Sequence, residues 1–552
     1  MKLNGSEILV KVLLENEVDT VFGYPGGAVL NIYDALYKNS DKIKHYTTAH
    51  EQGASHAADG YARATGKTGV VLATSGPGAT NLVTGIATAY MDSVPMVAIT
   101  GNVGIPLIGR DSFQEVYITG ITLPITKHNF VVRRVEDLAD ILRQAFKIAI
   151  SGRPGPVLVD IPKDITAAVT EYEERPKQTP EKNPVFKLTD FDEIVDVINN
   201  AQKPVIFFGG GVKNSNAGKV IERIIKKANI PATHTMMASG VLRYDMPENL
   251  GLLGMHGSVA ANKTVSQADV VIAVGSRFSD RVALAPSKFA PNAKLIQIDI
   301  DQSEIDKNVK TDYHIVGEAE EVLTKLEERI NENKHEEWFK EINSFARAIA
   351  YTEGDNKLHP KKVMDIISEL AGEDGLYVTD VGQHQMWAAQ YLHHVKAENF
   401  LTSGGLGTMG YGYGAAIGAQ IGTGRKPVFH ITGDGSFHMN MNEACTAASY
   451  NLPVISVCLN NSALGMVRQW QKMFYGKRYS QSEPNRKTDY VKVAEGFGLK
   501  GYSCKTEEEF RAAVEDAMKC GGPAWIECII DREENVLPMI PNGGTVDDMI
   551  CE

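Results

Sequence analysis

Late in the chain, an acid and an amide close two neighbouring apolar runs. Val428-Phe429-His430-Ile431-Thr432 reads as a buried strand and ends in Gly433-Asp434-Gly435-Ser436, while Pro453 to Leu459 reads as a second strand and ends in Asn460-Asn461. The small and apolar spacing from Asn442 to Tyr450 predicts a helix between them. Parallel strands would then hold Asp434 and Asn461 at one end of a sheet. A carboxylate, an amide oxygen and a main-chain carbonyl near Ala463 form an all-oxygen set suited to a hard cation. Such a sparse set leaves magnesium room for two diphosphate oxygens and a water. Gly433 and Gly435 let backbone approach phosphates closely. A lone Gly-Asp-Gly is more often a turn with a capping Asp; the Asn-Asn pair ending the next strand favours the cation site.

A second candidate is Glu51, in His50-Glu51-Gln52-Gly53-Ala54, at the start of an expected helix. A first-turn Glu commonly complements the helix dipole on a surface. Its neighbours Ala54, Ala57, Ala58 and Gly60 are small, which predicts tight burial, and a buried carboxyl is costly unless it is partnered or functional.

The elements that must position these groups fall into three α/β regions. Val70–Thr74, Met96–Thr100 and Val157–Ile161 are short apolar runs separated by helical stretches, the pattern of a parallel sheet covered on both faces. Charged, proline-rich residues 170–187 read as a linker. Strands at 204–208, 270–274 and 294–298 follow, closed by one acidic helical stretch over 318–345; the third region opens near His359 with a strand at 376–380. The expected domains are 1–168, 188–345 and 358–552, three parallel-sheet α/β domains in series, which suits a chain of 552 residues. The first and third look alike in outline.

Composition bounds the function. A net charge of −12 without a basic run disfavours nucleic acid. No apolar stretch is long enough to span a membrane, and the first residues lack the apolar core of a signal peptide, so a cytoplasmic protein is expected. Six cysteines without a Cys-x-x-Cys pair predict neither zinc nor disulfides. Two motifs are decoys. Gly60–Thr68 has one residue too many between its glycines for a P-loop, and the Gly-x-Gly-x-x-Gly over 405–410 stands alone.

Longer motifs carry a family resemblance. Tyr24-Pro25-Gly26-Gly27, His50-Glu51-Gln52-Gly53, Thr74-Ser75-Gly76-Pro77-Gly78-Ala79-Thr80-Asn81, Phe113-Gln114-Glu115 and Gly275-Ser276-Arg277-Phe278-Ser279-Asp280-Arg281 resemble the acetohydroxyacid (acetolactate) synthases, thiamin diphosphate enzymes. So do Val381-Gly382-Gln383-His384, the 433–461 motif, Leu464-Gly465-Met466-Val467 and Val536 to Pro541, so the resemblance spans nearly the whole chain.

The resemblance implies a role for each matching residue. Glu51 would hydrogen-bond N1′ of the cofactor's aminopyrimidine, with Pro77 and Asn81 nearby. Met409 would prop the cofactor in its bent shape; on periodicity alone it reads as a core methionine. Met466 would contact the pyrimidine. Val381, Gly382, Gln383, His384 and Gly407, with Gly433, Gly435 and Ser436, would receive the diphosphate, and Asp434, Asn461 and Ala463 the Mg2+. Arg153, with Gly209, Gly210, Gly211, Asn214, Thr235, Met236, Met237, Met255, His256, Gly275, Arg277 and Asp299 of the central domain, resembles a structural FAD site. Gln114 and Lys163 are implied in catalysis. Gly27, Phe113, Arg281 and Trp470 are implied in substrate binding, with the Arg281 guanidinium suited to a 2-ketoacid carboxylate.

The implied activity is condensation of a two-carbon unit from pyruvate with a second 2-ketoacid, pyruvate or 2-ketobutyrate, in isoleucine and valine biosynthesis. A homodimer or dimer of dimers is implied, with the cofactor shared between two chains, together with a small regulatory subunit. Arg110, Gly104, Ser279 and His438 depart from the family pattern without removing a catalytic group. Three alternatives stand beside this reading: a flavin-free catabolic acetolactate synthase, a related thiamin diphosphate decarboxylase or oxidase, and a non-catalytic paralogue.

Overall fold

The runs rich in Val, Ile and Phe become the inner strands of three sheets, because only a strand covered by helices on both faces buries a continuous apolar run. The computed structural model describes residues 1–177, 191–345, 358–424 and 428–552. Each main sheet has six strands, all parallel. The first is ordered Lys44–Thr47, Thr20–Tyr24, Gly69–Ala73, Met96–Asn102, Pro156–Pro162, His128–Val131. The third is ordered Phe400–Leu401, Leu376–Thr379, Val428–Gly433, Val454–Asn460, Ala524–Ile529, Lys500–Cys504. Numbered within their own regions, both read 2-1-3-4-6-5, which gives the likeness seen in outline an identical topology. The central sheet is ordered Asn249–Leu252, Ala232–His234, Pro204–Phe208, Val270–Val274, Lys294–Asp299, Tyr313–Val316, or 3-2-1-4-5-6.

In such open sheets ligands sit beyond the carboxyl ends of the strands where the order reverses. That rule picks out three places. In the first sheet it is the segments after Tyr24 and Ala73; in the central sheet, those after Phe208 and Val274; in the third, those after Thr379 and Gly433. These are the Pro25–Gly27 and Thr74–Asn81 motifs, Gly209–Gly211 with Gly275, and Val381–His384 with Asp434. The sequence motifs therefore occupy the positions where this topology leaves room for ligands.

Two expectations are corrected. Thr170 and Glu171, expected in the linker, belong to the strand Val169–Glu171, paired antiparallel with Lys2–Asn4. Residues 172–175 also dock on the first domain, because the Glu15 carboxylate takes hydrogen bonds from Arg143, Tyr172 Oη at 2.5 Å and the Arg175 N–H at 2.8 Å. The remainder of that segment from 178, with the expected domain start at 188–190, lies outside the described residues. The acidic stretch 318–345 is two helices, Ala319–Arg329 and Glu336–Asn343, broken at His335, whose φ of 41° is left-handed. The Gly60–Thr68 decoy is mostly the end of the helix Glu51–Thr65, closed by left-handed Gly66.

The first and third domains meet along two helices, Glu51–Thr65 and Tyr411–Thr423. A methyl group on Gly418 would lie 1.8 Å from the Ala57 carbonyl oxygen, and one on Gly60 would lie 2.1 Å from that of Ala415. Backbone rests directly on backbone. Beside it Arg63 pairs with Asp59 at 2.6 Å and Asp92 at 2.9 Å, and Tyr411 Oη donates to Asp59 at 2.7 Å, all buried. A buried charge persists only when paired in this way.

Candidate active site

Strand register sets the cation site. Gly433 pairs with Leu459, so Asp434 and Asn461 leave the sheet side by side. Asp434 is the first residue of a helix, Asp434–Asn440, where the sequence suggested only a turn. Its carboxylate is buried, forms no ion pair among the described residues, and is pushed by burial up to about 6. Asn461 Nδ2 donates to Gln383 at 3.0 Å, and Asn461 Oδ1 accepts the Ala463 N–H at 3.2 Å. A buried, unpaired carboxylate beside an amide oxygen fits a hard cation.

The loop opposite fits a diphosphate. Side chains on Gly382 and Gly433 would each lie 2.8 Å from the His384 ring, so backbone and imidazole are in contact there. His384 is buried, its Nε2 lacks a partner among the described residues, and burial lowers its pKa to about 4. Ser436 Oγ accepts the Gly410 N–H at 2.9 Å. Met409 lies beside Gly435.

Asp380 and His430 were not singled out as site residues, yet they shape this loop from below. Asp380 precedes Val381. It accepts from Gly412 N–H at 2.8 Å and Thr432 Oγ1 at 2.7 Å, and lies 3.0 Å from His430 Nε2. Burial alone would raise the Asp380 carboxyl, but these partners hold it at about 2. The signal available was a polar His within an otherwise apolar strand. Arg486 was missed too; its Nη1 donates to the Asp434 carbonyl at 3.2 Å.

Glu51 begins its helix directly after the cap His50 and is 9% exposed, as the small neighbours implied. Asn81 Nδ2 donates to Glu51 Oε2 at 2.9 Å, and Gly78 packs close to Oε1. Glu51 and Asp434 share none of these contacts within the chain. Gln114, at φ 60°, packs against Gly76; Phe113 is 87% exposed, and Gly27 and Lys163 are exposed as well.

A cavity of about 1570 Å³ lies where all three domains meet, with Arg63, Asp92 and Arg153 of the first domain in its wall. It is lined by Arg153, Gly209, Gly210, Gly211, Asn214, Thr235, Met236, Met237, Met255, His256, Gly275, Arg277 and Asp299, and also by Arg281, Val381, Gly382, Gly407, Met466 and Trp470. The cavity thus gathers the expected flavin residues with Arg281 and Trp470. Glu51, Pro77, Asn81, Gly27, Phe113, Gln114 and Lys163 lie outside it. A methyl on Gly209 would sit 2.4 Å from the Gly275 carbonyl oxygen, and Gly275 has φ 56°, so both positions require glycine. Thr235 Oγ1 and Ser276 Oγ, at the cavity wall, are buried hydroxyls without partners among the described residues. Burial raises Asp299 to about 6. Three close glycines and two orphaned hydroxyls at a reversal of strand order fit a dinucleotide such as FAD. Arg153 ties the first domain to this wall, bonding Ser93 and Glu304 at 2.8 Å each. Of the departures from the family pattern, Ser279 lines the cavity. His438 is held 2.5 Å from the Asp434 carbonyl and 2.7 Å from Thr488 Oγ1.

Models of thiamine pyrophosphate enzymes match in three parts: the N-terminal TPP binding domain over residues 3–121, the central domain over 191–326 and the C-terminal TPP binding domain over 380–528. Across its full length the chain is 43% identical to the acetolactate synthase isozyme 2 large subunit of Escherichia coli K12, over 99% of both chains. The chain belongs to the acetolactate synthase large-subunit family. Other members include the large subunits of Buchnera aphidicola (42% identical, 99% and 98% covered) and Porphyra purpurea (43%, 99% and 95% covered). Membership matches the site: the two TPP-binding models cover Glu51 and the Asp434–Asn461 pair. No described helix is long and apolar enough to cross a membrane.

Proposed function

We propose that the chain is the catalytic subunit of a biosynthetic acetohydroxyacid synthase. It takes a two-carbon unit from pyruvate and joins it to pyruvate or 2-ketobutyrate, giving 2-acetolactate or 2-aceto-2-hydroxybutyrate for branched-chain amino acids. The observation that carries this reading is the shared cavity, which Arg281 and Trp470 line together with Val381, Gly382 and the glycines of the central domain.

Thiamin diphosphate supplies an electron sink for loss of carbon dioxide from a 2-ketoacid. Asp434, Asn461 and the Ala463 carbonyl would hold Mg2+, and the backbone of 381–384 and 433–436 would hold the diphosphate. Glu51, positioned by Asn81, would hold a proton at N1′ of the pyrimidine. Met409 and Met466 would shape the space over the rings. Arg281 would orient the carboxylate of the acceptor 2-ketoacid, and Trp470 would flank its alkyl end. FAD would occupy the central-domain wall as a structural group. Because Phe113, Lys163 and Gly27 are exposed and Gln114 is only half-buried, a second copy of the chain would complete the site, as a homodimer or dimer of dimers. A first domain running on to about residue 175, the limits 188–345 and 358–552, a small regulatory partner and a cytoplasmic location belong to the same reading.

The test is the product formed by the pure chain with pyruvate, thiamin diphosphate and Mg2+. Acetolactate supports the reading; acetaldehyde, peroxide or no turnover replaces it with a decarboxylase, an oxidase or a non-catalytic paralogue.

A further inference from the structure

Glu443 lies within the 433–461 stretch but has no part in the cation or diphosphate site described so far. It is completely buried and has no cationic partner among the described residues. Its carboxylate spans from the third domain to the first, accepting the Ala49 N–H at 3.2 Å and the His50 N–H at 3.1 Å, the two amides immediately before Glu51. Thr446 Oγ1 donates to the same carboxylate at 2.7 Å and accepts a second contact from the Ala49 N–H at 3.1 Å. One helical turn further, Tyr450 Oη accepts the Thr47 N–H at 2.9 Å, and its ring packs edge-on against Tyr46 at 5.0 Å. Positions 443, 446 and 450 thus form one face of a short helical run, and that face grips residues 46–50. Gly53 closes the contact from the other side, since a methyl there would fall 2.0 Å from Glu443 Oε1.

We propose that Glu443 is a positioning residue for Glu51, fixing from the third domain the start of the helix on which that acid stands. The proposal rests on the reading of Glu51 as the group facing the cofactor's pyrimidine. A carboxylate suits the task because two backbone N–H groups and a hydroxyl converge on it, and only an acid offers enough acceptor sites without adding a donor. An amide in its place turns an NH2 toward one of these donors. Helix start and acid then shift together, and a displacement of about 1 Å at a reacting group costs on the order of 100-fold in rate. The same run begins at Met441, two residues before Glu443, directly after the helix Asp434–Asn440 that opens on the metal-site residue Asp434. One continuous piece of chain therefore carries a cation ligand at its start and braces the pyrimidine-side acid at its end.

The experiment uses the holoenzyme with thiamin diphosphate and Mg2+. It compares Glu443→Gln with Gly53→Ala, whose methyl displaces the carboxylate from the opposite side. The readouts are hydrogen–deuterium exchange at the cofactor's C2 by rapid quench, the Kd for thiamin diphosphate and the thermal midpoint. Exchange is expected to slow by about 10–100-fold in both variants, with Kd nearly unchanged. In a Glu51→Gln background, Glu443→Gln should slow exchange by less than about twofold more, since residues acting through one another are not additive. If Glu443→Gln does not fold, Thr446→Val, which strips the hydroxyl from both Glu443 and Ala49, takes its place in the comparison. Native exchange in Glu51→Gln removes the reading of Glu51, and the proposal with it. Slow exchange in Glu51→Gln beside native exchange in both neighbouring variants, or a fully additive double variant, overturns the proposal alone.

Discussion

Replacing Trp470 by leucine should alter which acceptor 2-ketoacid is used. Trp470 lies on the helix Gly465–Phe474, shares the cavity wall with Arg281 and Met466, and packs against Phe474 with ring centroids 5.3 Å apart. If its indole covers the extra methylene of 2-ketobutyrate, that contact is worth about 1–3 kcal/mol, or about 10–200-fold in selectivity. Losing the Phe474 contact costs about 0.5–1.5 kcal/mol of stability, a small part of the total for a chain this size, so folding should survive. The assay is a competition between pyruvate and 2-ketobutyrate scored by the ratio of the two acetohydroxyacids. Trp470→Leu should move that ratio toward acetolactate while pyruvate decarboxylation continues. Arg281→Ala should depress both products together, because on the proposed reading both acceptors carry the carboxylate that Arg281 would hold. An unchanged ratio in Trp470→Leu would show that the indole is only a wall of the cavity.

Four further outcomes are expected. Glu51→Gln should lose on the order of 10²–10⁴-fold in turnover, as removal of a general acid–base group does, with a smaller loss in cofactor affinity; C2 exchange measures it. Asp434→Ala should abolish Mg2+-dependent tightening of thiamin diphosphate binding, read by titration with and without the metal. The purified protein should be yellow and release FAD on denaturation, and a colourless, fully active preparation would indicate the flavin-free type. Buried Asp160, whose pKa rises from 3.8 to about 6 because burial outweighs hydrogen bonds from Thr100 and Asn102, favours its protonated form in the folded state. Stability from this group is therefore full below about pH 4 and lost as pH rises through about 6, a change of about 3 kcal/mol at 1.36 kcal/mol per pH unit. Relative to Asp160→Asn, the native chain should lose thermal stability across that window, and parallel curves for the two would refute the sign.

The strand-end chemistry was legible because each motif sits at the close of an apolar run, and a parallel sheet aligns such closings. Asp434 and Asn461 come together by register, and Gly209, Gly211 and Gly275 by the reversal of strand order, both of which follow from local patterns. Glu443, Asp380 and His430 were not legible as site residues. Their partners lie in other strands or another domain, and no periodicity marks a carboxylate whose acceptors are filled by amides almost 400 positions away. The docking of residues 172–175 was hidden for the same reason: charge and proline suggested a linker, while the attraction comes from Glu15, far back in the chain. The break at His335 within an acidic stretch carried no Gly or Pro to announce it.

The glycine seam between Glu51–Thr65 and Tyr411–Thr423 sets a timetable for making the protein. The first helix leaves the ribosome long before its partner exists. At typical synthesis rates the interval is roughly 20–70 s, ample for the first sheet to fold while one helix still shows its bare face to water. During that interval Arg63 and Asp59 have each other, but Tyr411 and the Gly404–Gly405 amides that later bond Asp92 have not been made. The nascent chain is most open to wrong partners at this stage, and a second nascent copy offers the same unfinished face. Slowing translation between residues 65 and 411 should lower the yield of native protein more than an equal delay after residue 424.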